Sequence, residues 1–96
     1  VSTEFEVFDP ARPYALAASV TLRPEPFGAL VYDYATRRLS FLKTPLLVAL
    51  VKELADSPNV TAALEAAAVP ADEHHPYLRA LAGLAEAGTI RQRTTE

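Results

Sequence analysis

Between Leu30 and Leu42 apolar and polar positions alternate twice, interrupted by the Ala35-Thr36-Arg37 connection. Leu30, Tyr32 and Tyr34 alternate with Val31, Asp33 and Ala35, and then Leu39 and Phe41 alternate with Arg38, Ser40 and Leu42. A period of two is that of a strand with unlike faces, so this block predicts a β-hairpin. Upstream, Leu16, Ala18, Val20 and Leu22 alternate with Ala17, Ser19, Thr21 and Arg23, which predicts a first strand. Pro24 and Pro26 are expected to end it, with Pro24 to Gly28 as the turn into the hairpin. Connections this short place the three strands in one antiparallel sheet.

After Pro45 the period changes. Thr44 offers an N-cap oxygen, Pro45 suits the first helical position, and Leu47, Leu50, Val51 and Leu54 share one helix face that ends near Ser57-Pro58. Asn59 is the expected N-cap of a short second helix carrying Val60, Ala63, Leu64 and Ala67, closed by Pro70. A third helix begins between Asp72 and Pro76, carries Tyr77, Leu78, Leu81, Leu84 and Ala85 on one side, and meets Gly88 as its C′ residue. Ile90 is expected to fold back onto the core. Val1 to Pro13, broken by Asp9-Pro10 and Arg12-Pro13, is a tail or an edge segment, and residues 92–96 form a C-terminal tail. The domain then spans 14–91 and is α+β: a three-stranded antiparallel sheet followed by three helices, in outline a winged helix-turn-helix with the sheet placed first.

A chain of 96 residues, half of them apolar, fits one hydrophobic core and argues against disorder. The absence of Cys removes a disulfide framework, a thiolate zinc site, iron–sulfur ligation and a cysteine nucleophile from this chain. Nine Lys and Arg against twelve Asp and Glu are scattered along the sequence, so no nucleic-acid footprint is visible. No opening signal segment and no membrane-spanning apolar run is apparent, which makes a soluble, cytoplasmic protein the expectation.

The chemistry-bearing residues are sparse. His74 and His75 are the imidazoles of the chain and, being adjacent, point apart rather than toward one metal; a solvated helix start is expected there. Ser19, Ser40 and Ser57 have no nucleophile elbow, and Gly28, Gly83 and Gly88 are too far apart for a phosphate loop. No catalytic residue, metal site or cofactor is expected. Arg37, Arg38 and Lys43 are the densest basic cluster, serving either to guard an edge strand or to steer an acidic peptide toward it. Leu39, Phe41 and Leu42 give the last strand apolar residues on both faces. Either Leu39 or Leu42 packs under the first helix and the N-terminal tail covers Phe41, or a groove opens between this strand and the third helix. Tyr77, Leu78, Leu81 and Ala85 would line that groove, with Gly83 and the neighbouring alanines keeping the helix slim.

The words RPEPFGAL (Arg23 to Leu30), TRRLSFLK (Thr36 to Lys43) and PYLRALAGLAEAG (Pro76 to Gly88) resemble the precursor-binding chaperone family of mycofactocin biosynthesis. That family is related to the pyrroloquinoline quinone chaperone and other peptide-recognition elements of ribosomal peptide modification. The resemblance implies a non-enzymatic chaperone that takes the leader of the mycofactocin precursor peptide as an added strand. Main-chain groups of Leu39, Ser40, Phe41, Leu42 and Lys43 would pair with it, and Phe41, Leu78 and Leu81 would form side-chain pockets. The resemblance also implies a radical S-adenosylmethionine maturase as second partner, with no nucleic acid or membrane. Arg23, Phe27 and the Pro24 to Gly28 turn are candidates for its contact surface, against the plainer expectation that Phe27 plugs the sheet end. The rival is a winged-helix DNA-binding regulator, disfavoured because Tyr77 to Gly88 offers Arg79 as its one cation.

Overall fold

The predicted hairpin is present. In the computed structural model, which describes residues 8–93, β3 (Gly28–Asp33) and β4 (Arg38–Leu42) run antiparallel with Ala29 opposite Leu42 and Asp33 opposite Arg38. Ala29, Val31 and Leu42 are buried beneath the sheet, whereas Tyr32, Leu39 and Phe41 stand on its outer face. Gly28 is required by close approach: a Cβ there would collide with the Leu42 carbonyl oxygen.

The strand expected from Leu16 to Leu22 is two strands. β1 (Tyr14–Leu16) leaves the sheet, and β2 (Val20–Glu25) pairs with β3, giving the order β2-β3-β4. Between them the Ala17 N–H donates to the Thr89 carbonyl at 2.9 Å, and the Val20 N–H turns back to the Ala17 carbonyl at 3.0 Å. Tyr14, Ala17 and Val20 are the buried residues here, a spacing of three that the alternation of Leu16 and Ala18 masks. Nor does Pro24 end the strand: β2 continues through it to Glu25, and Pro26-Phe27 is the turn. β2 is an edge strand, and alternate N–H groups of an edge strand face away from the partner, where a proline removes no ladder bond.

β1 finds its partner in β5 (Ile90–Gln92), with Leu16 opposite Ile90 in a separate two-stranded ribbon. Ile90 is almost completely buried, as expected of a residue that folds back onto the core. Arg93 fastens this ribbon to the helices: its backbone N–H donates to the Pro13 carbonyl, its Nε to the Tyr14 carbonyl at 3.1 Å, and its Nη2 to the Ser57 carbonyl. The N-terminal segment is tied down as well. Phe8 packs on Tyr14 with ring centroids 5.0 Å apart, and the Pro10 carbonyl accepts the N–H groups of Val60 and Thr61.

The helices follow their caps. α1 (Pro45–Leu54) starts at Thr44, whose Oγ1 accepts the Leu47 N–H at 3.0 Å, and buries Leu47, Leu50, Val51 and Leu54. It packs against β1, β3, β4 and α2 (Val60–Ala66), the latter capped by Asn59 through the Ala62 N–H at 2.8 Å. A 3₁₀ turn (Ala71–Glu73) leads into α3 (His74–Glu86), whose first turn accommodates Pro76 because that N–H has no intrahelical acceptor. α3 ends in a Schellman motif at Gly88 (φ 82°), with the Thr89 N–H on the Leu84 carbonyl at 2.9 Å and the Gly88 N–H on the Ala85 carbonyl at 3.0 Å. The helices lie on one face of the sheet, in an α+β domain. Burying side chains such as Leu50, Leu54, Leu64 and Leu81, each at about 1% exposure or less, contributes ~1.5–3 kcal/mol apiece.

Candidate peptide-binding groove

β4 is an edge strand, and among the described residues nothing pairs with its free side. The opposite edge, β2, carries Pro24 together with the Arg23–Glu25 ion pair at 3.4 Å, features that discourage strand pairing. The two edges are therefore unlike. β4 has no proline, and its backbone is free to take another strand.

Beside that edge lies an apolar groove of about 530 Å³ between β4 and α3. Phe41, Leu42 and Lys43 form the strand wall, Thr44 and Leu47 the floor where β4 passes into α1, and Pro76, Tyr77, Ala80 and Leu84 the helix wall. Leu81, 0% exposed, anchors α3 in the core, while the short side chain of Ala80 leaves the space open. The Tyr77 hydroxyl and the Thr44 Oγ1 share a hydrogen bond at 3.2 Å, which ties the start of α3 to the cap of α1. One threonine thus caps a helix and positions a groove wall.

The expected groove residues separate in space. Leu39, Ser40, Phe41 and Lys43 are exposed along β4, whereas Leu42 points into the core. Arg37, at φ 61°, belongs to the connection preceding the strand, and Arg38 shares the inner face with Ser40 and Leu42. On α3, Tyr77 lines the groove; Leu81 is wholly buried; Leu78 packs partly buried against the core; Ala85 lines a different hollow with Tyr14, Gly88 and Ile90. Pro76, Ala80 and Leu84 also form the groove wall, a role their positions in the sequence pattern do not single out. The apolar positions of α3 cover an arc of roughly 160° at 100° per residue, wider than one neighbour requires. That width is the signal for two contacts: Leu78, Leu81 and Ala85 toward the core, Tyr77, Ala80 and Leu84 toward the groove.

Other expected placements change. Gly83 is exposed with nothing within 4 Å of a built Cβ, so it does not set the groove width. Phe27 is no core plug: it is 46% exposed, its ring 6.0 Å from that of Phe41 on the outer sheet face. Phe41 itself is 52% exposed, and cover by residues 1–7 lies outside the described residues. His74 is not merely solvated, since its Nε2 lies 2.9 Å from the Val69 carbonyl oxygen. Its ring therefore ties the start of α3 to the end of α2.

Electrostatics add one buried carboxylate. Asp33 accepts from the Ser19 hydroxyl at 2.7 Å and the Ala35 N–H at 3.0 Å. The Ser19 bond foremost, against partial burial, and then the Ala35 and Thr36 amides and Arg91, hold its carboxyl below the usual aspartate range. These bonds fix the connection from β3 to β4. No group of three or more metal-ligating side chains is assembled among the described residues, and no helix there is long and apolar enough to cross a membrane.

Comparison with known proteins gives a family and named relatives. The model of the Peptide chaperone MftB family matches residues 13–91. The chain is 55% identical over 78 residues to Peptide chaperone MftB of Mycobacterium ulcerans, covering 81% of this chain and 72% of that protein. It is 46% identical over 88 residues to the protein of that name from Mycobacterium tuberculosis (92% and 81% covered), and 47% identical over 83 residues to that of Mycolicibacterium smegmatis (86% and 81% covered). No solved structure matches the chain significantly.

Proposed function

The chain belongs to the Peptide chaperone MftB family, and on that premise we propose that it binds the leader of the mycofactocin precursor peptide by strand addition to β4. Its relatives are named as peptide chaperones, not enzymes, and a peptide is the partner that such a role implies. The observation that carries the proposal is the unpaired β4 edge running beside an apolar groove walled by α3. Main-chain groups of Leu39 to Lys43 pair with the leader whatever its sequence, and the groove admits its apolar side chains. Backbone supplies affinity and the pocket supplies register.

The magnitudes suffice. Two or three buried leader side chains contribute ~1.5–3 kcal/mol each, and a few strand hydrogen bonds ~1 kcal/mol each, against ordering costs on the order of 2–5 kcal/mol. Roughly micromolar affinity follows, which suits delivery and release. The bound chaperone then presents the free end of the precursor to a radical S-adenosylmethionine maturase in the cytoplasm, raising its effective concentration there. The exposed Phe27 and the Pro26-Phe27 turn are available for that second contact.

Phe41 tests the reading because it borders the groove yet is half exposed. Phe41→Asp is expected to abolish leader binding in a calorimetric titration while leaving the melting transition nearly unchanged. Unaltered affinity would count against the groove.

A further inference from the structure

The space beneath β4 differs along its length. At the Leu42 end lies the wide apolar groove, and at the Arg38 end a separate hollow of about 130 Å³ whose lining includes Asp33, Thr36, Arg38, Leu39, Ser40 and Thr89. Arg38, Ser40 and Leu42 share one strand parity, so both compartments open on the same side of the edge strand. Arg38 and Leu42 are separated by roughly 13 Å at ~3.3 Å per residue. Arg38 is exposed and forms no ion pair among the described residues. Asp33, opposite Arg38 in the register, lines the same hollow, with its Oδ1 held by the Ser19 hydroxyl and the Ala35 N–H. At the wide end, Glu73 and Lys43 both border the groove, and their opposite charges leave apolar volume as the basis of selection there.

Resting on the strand-addition reading, we propose that these two hollows, set along the same strand, act together as a two-compartment site for an extended acidic-apolar peptide. It takes a large apolar side chain at the Leu42 end and, four positions away on the same face of the added strand, a carboxylate at the Arg38 end. Parity is the source of the selectivity. Residues at i and i+4 both enter from one face, whereas at i and i+3 one of them is sent to the outer face of the sheet. A pair with Arg38 is solvent-screened and contributes little affinity, but it distinguishes one register from the next.

The test uses short peptides of alternating Thr and Val bearing one Phe and one Glu, spaced i,i+4 or i,i+3 and made in both chain orders. They are titrated by fluorescence anisotropy against the full chain, with backbone amide shifts recorded in parallel. The better i,i+4 order is expected to bind about two- to fivefold tighter than either i,i+3 peptide, the loss of one screened ion pair. Arg38→Glu is expected to invert the preference for Glu over Lys at the acidic position. Equal affinity at the two spacings, or a Glu preference unchanged by Arg38→Glu, overturns the two-compartment site. If the amides of Leu39 to Lys43 shift in either of those cases, strand addition survives alone. If no peptide shifts them, strand addition falls and this inference falls with it.

Discussion

Two residues carry backbone or charge states that their neighbours dictate. Ala68 sits at φ 61° as the C′ residue of α2, with its N–H on the Glu65 carbonyl at 3.0 Å and the Val69 N–H on the Leu64 carbonyl at 3.0 Å. This is the geometry that Gly88 adopts after α3, held here by a residue whose Cβ disfavours it. Ala68→Gly is therefore expected to stabilise the fold by about 0.5–1 kcal/mol, read from chemical denaturation. Asp33 has its carboxyl pKa lowered in the folded state, so its stabilising contribution is complete above the ordinary aspartate range. That contribution is lost as pH falls through the lowered folded value. Asp33→Asn is expected to give a shallower decline of melting temperature on acidification than the parent; parallel pH profiles would show that the Ser19 and Ala35 bonds do not favour the charged form.

The elements divide by whether one neighbour or several determine them. α1 was fully legible: Thr44, Pro45 and four apolar residues on one stripe leave no second solution. α3 was legible as a helix but not in its orientation, since its apolar arc is shared between the core and the groove. Gly83 lies on the exposed side of that arc, and Gly83→Ala is expected to stabilise the helix by roughly 0.5–1 kcal/mol. Leader affinity in the same variant is expected to stay unchanged; weakened binding would place the peptide over that face instead. The β1–β5 ribbon was not legible. Three-residue strands show too few alternations to reveal a period, and pairing Tyr14 with Gln92 depends on the intervening chain returning.

For the molecule as a whole, the asymmetry of the sheet edges decides what can dock. β2 is guarded by Pro24 and flanking charges, whereas β4 is framed by Arg37 and Arg38 at one end and Lys43 at the other, all exposed. Against a net charge of −3, this local basic field favours approach of acidic segments to the open edge. Joint Arg37→Glu and Arg38→Glu substitution is expected to slow leader association and to flatten its salt dependence in stopped-flow measurements. Unchanged rates at low and high salt would remove steering. The same frame holds few DNA-directed features, since α3 carries Arg79 as its single Arg or Lys.

The β3–β4 hairpin, the three helices with the caps at Thr44, Asn59 and Gly88, and the family words were determined by sequence alone, because each rests on residues close together in the chain. Local sterics and short-range hydrogen bonds choose a cap or a hairpin without reference to anything distant. Which face of α3 meets the core, that Phe27 joins Phe41 on the outer sheet, and that β5 returns to β1 were decided only in three dimensions. Those outcomes depend on which apolar surfaces remain after nearer ones are buried. The groove beside β4 is such a remainder: Leu81 fills the core, and Tyr77, Ala80 and Leu84 are left facing an unpaired strand.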